Sequence, residues 1–349
     1  MAKRKGSEEE KLNYNQEVRR LKEEGPERLY LLWGPEDYLR EYYLGELKKV
    51  CIPEGEDSFS FRRLNGPELD VHALREAVDA MPFMTERSFV EIRDVDWNRL
   101  KESDALLKVL GDLPDYCTVA LVQGAAFEPD GRLKTIKALR ALARELKFTS
   151  QSQEALIRWI SKRFAAAGKG VELEAAQRLI FVSGDLMNRL IPEIEKVAAY
   201  AKGEKVTAAD VDAVASHIPE AVIFELTDCI SRKEFNVALS ILAELLSDKN
   251  SEPIAMLGML GVQMRSLYAA RLAIEKNLGA SFLLDSGAEK YDFRARKTIQ
   301  AARGFTREQL RRAVEICAET DYRMKSSGAD DAALFQEAVL RIAAGECDA

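Results

Sequence analysis

The segment Leu29-Tyr30-Leu31-Leu32-Trp33-Gly34-Pro35-Glu36-Asp37-Tyr38-Leu39-Arg40-Glu41 has the order of a strand, a glycine turn and a helix start. A phosphate-binding P-loop uses that order. In G-x-x-x-x-G-K-[ST], backbone N–H groups cradle the phosphates, a lysine reaches the outer oxygens and a hydroxyl holds Mg²⁺. Counted from Gly34, the last three places hold Leu39, Arg40 and Glu41. Leu39 puts a bulky side chain where the backbone must close on phosphate. Glu41 sets a carboxylate at the helix N-terminus, where the anion would sit. The chemistry predicted is that of a degenerate P-loop that binds no nucleotide. The same residues also read as an ordinary strand-to-helix turn with acidic residues in the first helical turn, and the segment alone leaves both readings open.

Other candidate chemistry is sparse. A nucleotide hydrolase needs a second strand ending in carboxylates for Mg²⁺, yet the β-rich run Thr118-Val119-Ala120-Leu121-Val122 is followed by Gln123-Gly124-Ala125-Ala126. Five cysteines, at 51, 117, 229, 317 and 347, form no C-x-x-C pair, and only His72 and His217 could join them as ligands. No metal site, disulfide, cofactor or catalytic residue is expected. Cys117 and Cys317 fall in apolar patterns, where a thiol behaves as a small hydrophobe. The clearest basic stretch, residues 290–312, carries Lys290, Arg294, Arg296, Lys297, Arg303, Arg307, Arg311 and Arg312 against Asp292 and Glu308. Arg296, Arg303 and Arg307 can share a helical face, interrupted near Gly304, that would meet DNA phosphate or an acidic subunit surface. Solvated helix surface is the plainer reading. Asp321 falls on the apolar face of Leu310, Ala313, Val314 and Cys317, four residues before Lys325, and is expected to pair with that lysine.

The elements that must position these residues fall into three parts. At 349 residues the chain exceeds the size at which one core stops growing, and 47% apolar residues suffice to fill two or three. A net charge of −7 argues against a protein that coats nucleic acid alone and confines DNA contact to a local patch. The N-terminal residues hold no apolar leader and no stretch approaches a membrane span, so a cytoplasmic protein with no membrane partner is expected. Residues 1–25 form a charged extension with a short helix from Tyr14 to Lys22, frayed or lightly docked. Residues 26–149 alternate helices with short β-rich runs such as Phe89-Val90-Glu91-Ile92, which predicts an α/β domain with a parallel sheet. Residues 150–217 lose the β signal and predict helices over Gln153–Ala167, Leu173–Ser183 and Leu186–Ala201, with another opening at Thr207 in a capping box that ends on Asp210. Beyond Pro219, residues 218–349 predict an all-helical domain with helices Phe235–Leu246, Pro253–Lys276, Thr306–Lys325 and Ala332–Ala344.

This order of parts resembles the bacterial DNA polymerase III delta subunits of the sliding-clamp loader, over nearly all of the chain after residue 28. The segments that carry the resemblance are Leu29 to Leu39, Ala80-Met81-Pro82-Phe83-Met84-Thr85-Glu86-Arg87-Ser88-Phe89-Val90, Gly184-Asp185-Leu186 with Glu193-Ile194-Glu195-Lys196, and Glu319-Thr320-Asp321-Tyr322-Arg323-Met324-Lys325. The resemblance implies an AAA+-like module that has lost ATP binding, a small helical lid domain and a C-terminal helical collar domain. It implies no catalysis by this chain, only membership of the holoenzyme whose DNA-directed DNA polymerase activity is that of the complex. The implied partners are the β sliding clamp, gamma/tau and delta-prime type subunits in a hetero-pentameric ring, and primed DNA through that complex.

In the family, two adjacent large hydrophobes after a small residue grip the clamp and hold one of its interfaces open. Phe83 and Met84, preceded by Pro82, match those positions, with Met84 departing from the more usual aromatic or leucine. The residues fit such a role: Val71 to Ala80 is helix-like, Pro82 ends it, and the next side chains are thrown outward. The alternative is that Phe83 and Met84 are core residues capping the sheet. Two other functions stay open at this point: a divergent AAA+ ATPase using Arg40 in place of lysine, and a scaffold of a AAA+ complex that touches no clamp.

Overall fold

A computed structural model describes residues 14–53, 59–66, 69–83, 85–97, 99–100, 103–247 and 252–345. The chain forms two compact units, Met1–Ser152 with Leu186–Arg189, and Gln153–Asp185 with Leu190–Ala349.

The first unit runs α1 (Tyr14–Glu24), β1 (Leu29–Trp33), α2 (Asp37–Cys51), β2 (Phe61–Asn65), α3 (Val71–Asp79), β3 (Ser88–Arg93), α4 (Ser103–Leu110), β4 (Cys117–Val122), α5 (Lys134–Leu142) and β5 (Arg144–Lys147). Its strands form one parallel sheet in the order β2-β3-β4-β1-β5. Every residue of β1 and β4 is buried, the signature of strands covered on both faces. Alternation sorts the two faces. Leu29, Leu31 and Trp33 join Leu74, Leu106, Leu110 and Leu139 in one cluster, whereas the Tyr30 ring lies 6.2 Å from that of Tyr43 on α2. The N-terminal helix is docked rather than frayed. Leu21 is buried, the Tyr14 ring stands edge-on to Tyr42 at 5.9 Å, and Glu17 pairs with Arg144 at 2.8 Å.

The second unit contains α6 (Gln153–Ala166), β6 (Gly170–Val171), α7 (Leu173–Ser183), β7 (Lys205–Val206), α9 (Ala208–Val214), α10 (Pro219–Ser231), α11 (Phe235–Ser247), α12 (Pro253–Glu275), α13 (Ser281–Asp285), α14 (Asp292–Ala302), α15 (Arg307–Ser326) and α16 (Asp331–Ala344), with α8 (Met187–Tyr200) between α7 and β7 in the chain. β6 and β7 pair in parallel. The capping box at Thr207 forms with Asp210, and a second forms between Thr306 and Gln309 at the start of α15. The core lies along α12, where Leu257, Leu260, Met264 and Leu267 are buried with Leu310 and Ile316 of α15 and Phe335 of α16. One expectation fails here. Asp321 does pair with Lys325 at 2.8 Å, but on the outer side of α15; the buried face runs through Cys317, Thr320 and Met324.

Candidate functional site

The turn after β1 lies at the carboxyl ends of β1 and β4, where the chain connections leave in opposite directions and where open α/β sheets place their ligands. Gly34 has φ +120°, and a Cβ there would stand 2.3 Å from the Phe148 carbonyl oxygen, so only glycine fits. The Phe148 N–H donates to Trp33 O at 2.7 Å and its carbonyl accepts from the Glu36 N–H at 3.1 Å, which holds the turn against the end of β5.

The interior of this turn is occupied by the chain itself. Arg40, 5% exposed, donates from Nη1 to the Gly34 carbonyl at 2.7 Å and pairs through Nη2 with Asp37 at 2.6 Å. Leu39 is buried beside it, and Glu36 is fully buried, accepting from the Met187 N–H at 3.2 Å within the same unit. Glu41 forms a two-pronged pair with Arg93 at 2.9 and 2.8 Å. Arg93 also contacts Glu91, which β3 holds with no exposure and which meets Lys48 of α2 and Arg63 of β2 as well. Burial pushes the Glu91 carboxyl up, but its hydrogen bonds from Lys48 and Arg93 outweigh that and hold it below the ordinary carboxylate range. A polyphosphate entering this turn would have to displace the Arg40–Gly34 hydrogen bond and face Glu36 and Glu41.

Sequence reasoning looked for the second-strand carboxylate after β4. There the structure has Gln123, buried, with its N–H on Leu32 O at 2.9 Å. The carboxylate it missed is Asp94, directly after β3, in the left-handed region at φ +54° and accepting from the Gly124 N–H at 3.1 Å. The acidic run Asp94-Val95-Asp96 after an apolar strand was the available signal.

The second location is the chain between α3 and β3. α3 ends at Asp79, Ala80 is already extended, Pro82 is half-buried, and Met81 and Phe83 project into solvent at 80% and 61% exposure. The Phe83 ring therefore does not cap the sheet. It stands edge-on to Phe59, at 6.1 Å and 87°. Met84 lies outside the described residues. Phe59 is 76% exposed and was not singled out from sequence.

In the second unit, Arg296 lies on α14 and Arg307 opens α15, with Arg303 capping α14 between them. Gly304 breaks the face where expected, and for a packing reason: a Cβ there would meet the Ser231 carbonyl oxygen at 2.2 Å. Most of the neighbouring cations are paired: Arg296 with Asp292 at 2.7 Å, Arg294 with Glu289 at 3.0 Å, and Arg312 with Glu319 at 2.7 Å. The described cysteines are buried free thiols; burial pushes Cys51 up to about 11 and Cys317 up to about 12, so neither is a ready nucleophile. Among the described residues no helix is long and apolar enough to cross a membrane.

The family description "DNA polymerase III, delta subunit" matches residues 30–149, and that of the delta subunit's C-terminal domain matches residues 220–342. A DNA polymerase III subunit delta of Bacillus subtilis is 23% identical over 325 residues, 90% of this chain and 92% of its own length. A probable DNA polymerase III subunit delta of Aquifex aeolicus is 24% identical over 295 residues, 82% of each chain. Among solved structures, the Bacillus subtilis DNA clamp loader delta protein shares the fold, with a TM-score of 0.50 and 23% identity over 95% of this chain and 99% of its own. The fold is a parallel α/β unit followed by a helical C-terminal region. From the order of strands to the two matched regions on either side of the small helical segment, this chain belongs to the DNA polymerase III delta subunit family.

Proposed function

We propose that this chain binds the β sliding clamp through Pro82, Phe83 and Met84 and holds one clamp interface open during replication, without binding ATP itself. The observation that carries the reading is the Phe83 ring, exposed beyond the end of α3 on a backbone fixed to the sheet. An aromatic anchor of this kind supplies much of an interface's free energy when it enters a pocket. Support for nucleotide independence comes from the Gly34 turn, filled by Arg40 and flanked by the Glu41–Arg93 pair. Opening then needs no hydrolysis here: a rigid surface that fits the clamp only in its open curvature shifts that equilibrium by its differential affinity.

In this reading residues 26–149 are the clamp-binding domain, 150–217 a lid and 218–349 a collar that joins gamma/tau and delta-prime type subunits in a pentameric ring in the cytoplasm. Arg296, Arg303 and Arg307 would face DNA or a neighbouring subunit, and the polymerase activity remains that of the complex. The test is clamp binding by the purified chain without nucleotide. Wild type binds, and the folded Phe83→Ala/Met84→Ala variant is weaker by at least about 30-fold, the scale of a hot spot. Unchanged binding in the variant moves the site elsewhere, and micromolar ATP binding by the wild type would restore the ATPase reading.

A further inference from the structure

We infer that Phe59 is a second clamp-contacting ring and that Ser60 is the positioning residue that presents Phe83; the inference rests on the clamp-binding reading above. Phe59 and Phe83 come from different connections, one leading into β2 and the other out of α3, yet their rings meet at 6.1 Å. Both stay mostly in water, at 76% and 61% exposure. Two large exposed rings in contact form a contiguous apolar surface. The perpendicular arrangement is the favoured geometry of an aromatic pair, so the two rings present one shape rather than two independent side chains.

The backbone beneath them is unusually well fixed for a loop. Ser60 is 3% exposed, and its Oγ accepts from the Phe83 N–H at 3.0 Å while its hydroxyl lies 3.3 Å from the Phe83 carbonyl oxygen. The Thr85 hydroxyl lies 2.6 Å from the Ser60 Oγ. Ser60 is itself tied to the sheet, because its carbonyl accepts from the Phe89 N–H at 2.8 Å. On the other ring's side, Arg62 donates to the Phe59 carbonyl at 2.9 Å. A buried hydroxyl therefore carries the position of β3 to Phe83, and the ordering that docking would otherwise demand is already in place. The occupant is the apolar pocket of the clamp that takes Phe83, made wide enough for a second ring at right angles, since the Phe59 ring is continuous with that contact.

Clamp affinity of the full chain, measured without nucleotide for Phe59→Ala, Ser60→Ala, Phe83→Ala, Ser60→Ala/Phe83→Ala and Phe83→Ala/Met84→Ala, tests this. Phe59→Ala is expected to weaken binding about fivefold to 30-fold, and Ser60→Ala about tenfold. The Ser60 effect should vanish when Phe83 is already alanine, because nothing is left to position, whereas general destabilisation would add. Ser60→Thr, which keeps the hydroxyl, should bind more tightly than Ser60→Ala. Phe59 is so exposed that its truncation leaves folding intact, so the ring is tested even if Ser60→Ala misfolds. If Phe83→Ala/Met84→Ala loses binding while Phe59→Ala and Ser60→Ala stay within about twofold of wild type, the inference is wrong and the clamp reading stands. If Phe83→Ala/Met84→Ala binds normally, both fall.

Discussion

Arg40 is a cation placed at a helix N-terminus, where the backbone dipole disfavours positive charge, and it is nearly buried there. What makes it tolerable is local: Asp37 at 2.6 Å and the Gly34 carbonyl at 2.7 Å. A lysine in a working P-loop points at a ligand, whereas this guanidinium closes the turn on itself. Replacing it with alanine would strand a buried carbonyl and an acid that had a partner. Arg40→Ala is therefore expected to lower unfolding free energy by about 1.5–3 kcal/mol, the range for a charged hydrogen bond. Urea unfolding measures that loss. Clamp affinity of the same variant should stay within about twofold of wild type, because Arg40 contacts Gly34, Asp37 and Glu41, at the opposite end of the strands from Phe83. A larger loss of affinity would connect the turn to the proposed clamp-binding surface.

At the scale of elements, the parallel sheet sets the two locations apart. Gly34 follows the carboxyl end of β1, whereas Ser60 and the chain from Pro82 to Arg87 precede the amino ends of β2 and β3. Strands of five or six residues at about 3.3 Å per residue put roughly 16–20 Å between the two ends. Across the sheet runs the cluster of Glu41, Arg93, Glu91, Lys48 and Arg63, joining α2, β2 and β3. Because the Glu91 carboxyl is held below its ordinary value of 4.5, the stability it contributes is present above that pH. It is lost as pH falls through the lower folded value. Acid titration of the urea midpoint should thus show a steeper fall for wild type than for Glu91→Gln, and parallel curves would mean the cluster holds no charge-dependent stability.

How much of this was legible follows the same physics. β1 and β4 announce themselves because strands covered on both faces read as near-continuous apolar runs, β3 shows through Phe89, Val90 and Ile92 despite its buried Glu91, and α7, α11, α12, α15 and α16 fall within two residues of the spans read from spacing and caps. β2 and β5 were not read. Phe61-Arg62-Arg63-Leu64-Asn65 and Arg144-Glu145-Leu146-Lys147 are edge strands held by ladder bonds to β3 and β1, and an edge tolerates charge. Pro82 marked the exit from α3, but the clip between Ser60 and Phe83 joins residues 23 positions apart, which no local pattern encodes.

For the whole molecule the decisive quantity is charge. With 51 Lys and Arg against 58 Asp and Glu, the long-range field repels a polyanion, so DNA affinity must come from a few local cations. In residues 290–312 most guanidiniums already meet a carboxylate. Among the described residues, Arg303 and Arg307 are exposed with no carboxylate within salt-bridge distance, and Lys297 lies over the Phe181 ring at 5.0 Å. Each phosphate neutralised contributes about −0.9 to the slope of log affinity against log salt. Three cations at most predict a slope no steeper than about −3, and binding by the isolated chain too weak to detect at micromolar protein near 0.15 M salt. Fluorescence anisotropy of a labelled primed duplex from about 0.03 to 0.15 M salt checks both numbers. Arg303→Glu/Arg307→Glu should remove most of the low-salt signal. A slope near −6 would instead require twice as many cations as this surface leaves without carboxylate partners, and would make the chain a DNA-binding protein in its own right rather than one that meets DNA only through its complex.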